Sequence, residues 1–283
     1  MALTNTWTGS TSGDFNVGAN WSSGTSPATG ESWGALTGSV SMTSNLSQTG
    51  ETYTKVTIGP QYTGSINGLV CGITELDFAG GGTTYGITME TATARIFLRG
   101  GSANTTLTLT AASSLTLPDV WAFGGSGSVV FADDGVNSWT ITNLSMLQGA
   151  ESLTITGPTV GTASQTCHVH AGKLKVPGRL DDINVYGSGY VQPQPNVNYL
   201  TTNVSISGYG RYVHQTDTGI ALVRCNGPGG FFDGTQLGNV DVTITDLQIG
   251  KGGLVDFQSK QGVWTHTRVR NLGGVLKPQN LQA

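Results

Sequence analysis

Charge is what this sequence has least of. Asp, Glu, Lys and Arg make up 11% of its 283 residues, against roughly 25% in an ordinary soluble domain. The 13 Lys plus Arg are scattered and the net charge is −4. Clustered cations able to neutralise a run of phosphates are therefore missing, which excludes nucleic acid and anionic membrane as expected partners. Cysteine is nearly as scarce. Cys71, Cys167 and Cys225 stand alone, without the CxxC spacing of a zinc or redox site. They read as three buried thiols, with one disulfide plus a spare thiol as the alternative. No apolar run approaches the roughly 20 residues that cross a bilayer. The opening Met1-Ala2-Leu3-Thr4-Asn5-Thr6-Trp7 carries neither a basic nor an apolar leader region, so synthesis and folding in the cytoplasm are expected. Amphipathic helical spacing is lacking too, since no stretch keeps it for three turns without Gly or Pro.

What fills the chain instead is Gly, at 43 positions, in a Ser/Thr/Asn background interrupted by short apolar alternations. Lys55-Val56-Thr57-Ile58-Gly59, Glu75-Leu76-Asp77-Phe78, Arg95-Ile96-Phe97-Leu98, Asp182-Ile183-Asn184-Val185 and Asn203-Val204-Ser205-Ile206 share one theme. Alternation with period two over so few residues means short strands with one buried face. Landmarks Ile58, Phe78, Leu98, Ile155, Val176, Val185, Ile206, Val223, Ile244 and Val269 recur at about 20 residues, the solenoid range, although Val176 to Val185 is short. The expected fold is all-β, a right-handed parallel β-helix over residues 51–276. A small aromatic cap over 1–50 precedes it and a tail over 277–283 follows. A β-sandwich or jelly roll is the competing architecture.

The first 50 residues differ in character. Trp7-Thr8-Gly9, Asn20-Trp21, Pro27, Gly30-Glu31 and Trp33 resemble the "W-x-G … NW … P … G-[DE]" opening of autotransporter-like passenger domains and related β-helix surface proteins. That resemblance implies that Trp7, Trp21 and Trp33 cover the open end of the first coil. Lacking the leader of the secreted members, the chain resembles in general character bacteriophage virion β-helices of the capsid decoration and tail-spike type. The resemblance implies a structural protein on the outer head surface of a virion, a homo-trimer bound to the major capsid protein. A tail spike or fibre that recognises host surface glycan is the second reading, and a polysaccharide-degrading enzyme the third.

Residues with chemical potential are few. Glycan cleavage needs two carboxylates facing across a bond, and Asp133-Asp134 and Asp181-Asp182 sit at turn-like positions where neighbours diverge. Glu75 and Asp77 share a strand face and are better placed, yet no acid pair stands out as catalytic, and no cofactor is called for. The expectation is no enzyme. His168 and His170 share a strand face and are the only candidate metal ligands, needing a third from an adjacent coil. Among aromatics able to stack on sugar, Trp121, Trp139, Trp264, Tyr186, Tyr190, Tyr209 and Tyr212 are candidates, and Tyr209-Gly210-Arg211-Tyr212 is the best cluster, with Tyr209, Arg211 and Tyr212 as glycan or subunit contacts.

Overall fold

The computed structural model describes residues 2–91, 93–99, 104–124, 126–132, 137, 139–147, 152–156, 164–176, 180–193, 201–215, 219–236, 241–258 and 262–279. Its strands stack in parallel as a right-handed β-solenoid, and a single 3-10 turn, Gly18–Asn20, is the helical content among the described residues. Two long strands, Ser47–Tyr62 and Ile66–Phe78, follow the short Asn5–Thr6 and Ser32–Gly38. Nine coils follow from Thr84 to Asn271, each giving one strand to a front ladder and one to a back ladder.

The alternation seen in sequence becomes two kinds of column. On the front ladder Val56, Leu76, Ile96, Val120, Leu144, Cys167, Ile183, Val204, Val223 and Leu247 lie one above another, and all are 0–1% exposed. On the back ladder Ile66, Tyr85, Leu107, Val129, Ile155, Leu174, Val191, Tyr212, Phe232 and Val255 align in the same way. Burying each such aliphatic side chain stabilises by about 1.5–3 kcal/mol, so the columns are the dominant source of stability. The intervening residues face outward on each ladder.

This arrangement explains the uneven period. Ile58, Phe78, Leu98, Val185 and Ile206 belong to one front column. Val223 and Val269 belong to its neighbour two residues earlier, and Ile155 and Val176 to back strands. The short step from Val176 to Val185 is therefore a crossing from back to front within one coil.

The cap is smaller than residues 1–50. Asn5–Thr6 already pairs with Trp33 and Gly34, and Ser32–Gly38 pairs with Lys55 to Tyr62, because these segments extend the front ladder downward. What remains between them is a loop folded over the first coil. Phe15, Trp21 and Trp33 meet edge to face at 4.9–5.6 Å, and Trp7 lies 5.2 Å from Trp21, a geometry that adds to simple burial. Buried Asn20 holds the loop, accepting the backbone N–H groups of Thr11 and Ser12 at 2.9 Å and donating to the Asp14 carbonyl at 2.8 Å. At the other end the back ladder closes on Val275–Lys277, so Lys277 belongs to the last strand.

Coil corners between front and back strands stack Gly on Gly. Gly227 has φ +94°, and a Cβ there would lie 2.7 Å from the Gly208 nitrogen. Left-handed backbone and close vertical approach both demand glycine.

Candidate functional site: an outward aromatic and cationic corner

Outward positions of the front ladder gather aromatic rings over successive coils. Phe97 pairs with Trp121 across one coil step, and Phe123 follows two residues on. The three ring centroids lie 6.2–6.5 Å apart. Arg99 covers Phe97 at 5.7 Å and Phe123 at 5.3 Å, while its Nε donates to Asp77 Oδ1 at 2.6 Å. Two coils further, His168 pairs with Asn184, and the Tyr186 ring stacks on His170 at 4.7 Å and on His168 at 6.1 Å.

Past the corner, the back ladder carries a second outward column in which Lys173, Tyr190, Arg211 and Phe231 are in register. Cation and ring alternate. Lys173 lies 5.4 Å from the Tyr190 ring, and the Arg211 guanidinium 5.4 Å from Tyr190 and 5.1 Å from Phe231. Arg211 also pairs with buried Asp233 at 2.5 Å. Tyr209 projects from the corner itself, 70% exposed, its ring over Gly229, where a Cβ would come within 2.3 Å of Tyr209 Cδ1. The guanidinium groups of Arg99 and Arg211 are each paired with a carboxylate, Asp77 and Asp233.

Tyr209, at the corner, and Arg211, on the back strand that follows it, both reach the surface, whereas Tyr212 does not. Tyr212 is fully buried, stacked 5.5 Å from Phe232 in the back core column. Strand alternation is the reason: residue 211 points out, so residue 212 points in. Trp139 and Trp264 are likewise core residues. Trp121, Tyr186 and Tyr190 do reach the surface. The contributions of Phe97, Phe123, Phe231 and Lys173 were not legible locally, because the vertical register that aligns them depends on coil lengths.

His168 and His170 do share the outward face, but among the described residues no three His, Cys, Asp or Glu side chains converge on a metal-sized site. Their ring faces are engaged by Tyr186 instead. Glu75 and Asp77 also share a face, yet Lys55 sits 2.7 Å from Glu75 and 3.7 Å from Asp77. The shallow dent beside them, about 270 Å³, is lined by Thr54, Lys55, Thr74, Glu75, Ala94 and Arg95 and holds one carboxylate. Elsewhere the acids are similarly tied. Asp119 accepts from Asn143, Asp182 from Asn203, and Asp246 from Arg268 and Arg270. Asp133 and Asp134 lie outside the described residues. Cys71, Cys167 and Cys225 are free and buried, and burial pushes the thiols up, to about 12 for Cys71 and about 11 for Cys225.

No helix among the described residues is long and apolar enough to cross a membrane. No family model, no curated protein and no solved structure matches the chain.

Proposed function

We propose that the protein is a structural component of a bacteriophage virion surface, a capsid decoration protein that docks on the major capsid protein as a homo-trimer. The observation that carries this reading is the set of outward aromatic and cationic side chains, Trp121 with Phe97 and Phe123 on the front ladder, Tyr190 with Arg211 on the back ladder and exposed Tyr209 at a corner. Trp, Tyr and Arg are the residue types that dominate binding energy at protein interfaces, and here they sit on a rigid stack of strands. The use of carboxylates supports a scaffold over an enzyme. Those of Glu75, Asp77, Asp233, Asp246 and Asp256 are spent on cations of adjacent coils, which strengthens the rod and leaves no free acid pair across a groove at these positions. The virion setting rests on the likeness of character described from sequence.

Quantitative mass spectrometry of purified virions tests the reading. Hundreds of copies per particle are expected of a decoration protein, and complete absence from virions would overturn the proposal. A few to a few tens would favour a receptor-binding spike. That second reading has its own observation, the 70% exposed Tyr209 ring, suited to the apolar face of a host-surface pyranose.

A further inference from the structure

The two ends of the solenoid are finished differently. Aromatic rings close the first coil, whereas the last front strand, Trp264–Asn271, and the last back strand, Val275–Lys277, each pair on one side only among the described residues. Apart from the Trp264 N–H, which donates to Gln279 Oε1 at 3.1 Å, their backbone groups on the other side form an open parallel edge.

Inward positions at this edge are uncovered. Val269 is 44% exposed, although Leu247 directly beneath it is fully buried. Leu276 is half-buried over fully buried Val255. Between them opens a cavity of about 470 Å³, lined by Phe257, Trp264, His266, Val269, Leu276 and Pro278 among others. Such a floor is an unfinished core layer.

Charge says what would finish it. Where charges stack on the outward face of the front ladder, opposite signs meet, Lys55 on Glu75 and Arg95 beside Asp119 in the first coils and Asp246 beneath Arg268 in the last. At the last coil the exposed members of these pairs are the cations. Arg268 and Arg270 both rest on Asp246, at 2.6 and 2.5 Å, and Lys277 rests on Asp256 at 3.0 Å. Three cations share two carboxylates, and 46–61% of each cationic side chain is exposed. A second copy meeting this end tail to tail would set arginine against arginine, which is repulsive.

We propose that the open end binds one further parallel β-strand from a partner protein, an extended segment of acid–apolar–acid pattern. Its acids would face Arg268 and Arg270, and its apolar residue would cover Val269. Strand addition supplies main-chain hydrogen bonds while the alternate side chains supply specificity. The chain contains such a segment: Glu75-Leu76-Asp77 caps Lys55-Val56-Thr57 in the same register.

The test uses the full chain and a labelled synthetic peptide centred on that Glu75-Leu76-Asp77 sequence, followed by fluorescence anisotropy. Saturable binding is expected, at least about tenfold tighter than for a peptide with both acids replaced by Lys, and weakened by salt. In an Arg268→Glu/Arg270→Glu variant the preference should reverse, with circular dichroism confirming an intact fold. Failure of the acidic peptide to bind the unaltered chain overturns the proposal, as does equal binding of both peptides. Two further outcomes would assign the end to another occupant and equally overturn it. One is binding that appears only when the residues after Gln279 are removed. The other is a dimer in sedimentation that Val269→Glu dissolves.

Discussion

The phenol of Tyr85 donates to the backbone carbonyl of Tyr62 at 2.9 Å and accepts the N–H of Gly82 at 2.8 Å. One ring thus fastens the Gly80-Gly81-Gly82 corner to the coil below. Tyr53, nearer the cap and equally buried, has a hydroxyl with no partner. Two tyrosines of the same core therefore make opposite contributions.

Replacing Tyr85 by Phe strands the buried Gly82 N–H, while the Tyr62 carbonyl keeps the N–H of Gly81 at 3.0 Å, and should cost about 1–3 kcal/mol. Tyr53→Phe removes an unsatisfied polar atom and should be neutral or stabilising by up to about 1 kcal/mol. Thermal or urea unfolding of the two variants beside the parent decides the matter, and equal losses would refute the assignment.

Gly227→Ala combines a left-handed backbone with a Cβ 2.7 Å from the Gly208 nitrogen. A loss of about 1–3 kcal/mol is expected from the backbone conformation alone. Gly24→Ala is the control. Its φ is +77° but no atom lies within 4 Å of the added carbon, so it should cost less. The difference between the two variants measures the close stacking of coils.

The three thiols should be silent toward an aromatic disulfide reagent in the native protein. Burial raises Cys71 and Cys225 to about 12 and about 11 and carries Cys167 upward as well, and only the thiolate reacts. Unfolding in denaturant should release three equivalents. Rapid labelling of native protein would contradict the core placement.

Acid should loosen the last coil before the rest. Hydrogen bonds from Arg268, and then from Arg270 and Gln248, hold the Asp246 carboxyl well below its ordinary value of 3.8. Its native-state pKa lies beneath its unfolded one, so its contribution is present above pH 3.8 and is lost as pH falls through the folded value. His266 acts earlier. Desolvation lowers it from 6.5, so the unfolded chain takes the proton first and stability declines as pH falls below about 6.5. Between pH 7 and pH 4 the hydrogen-exchange protection factors, referred to the intrinsic amide rate at each pH, should fall first in Trp264–Asn271, with the columns around Leu76 and Ile96 still protected.

Much of the fold was legible because strand alternation is local. Lys55-Val56-Thr57-Ile58 announces its buried and outward residues without any knowledge of neighbours. Register between coils is not local. Coil lengths differ, from 16 residues between Cys167 and Ile183 to 24 between Ile96 and Val120, so nothing in sequence told that Lys173 and Arg211 would both lie over Tyr190. Tyr212 failed as a surface candidate for the converse reason. Its composition, an aromatic beside an arginine, suggested a contact surface, but parity along the strand outranks composition.

That inequality of coil length carries a last consequence. Stacking fixes the advance per coil at about 4.8 Å whatever the number of residues spent in making the circuit. Residues inserted between strands add girth at a corner and leave the reach of the rod unchanged. Only a whole circuit makes it longer. Contour and length can thus vary independently, and a corner can be remodelled for a new partner without altering how far the protein extends.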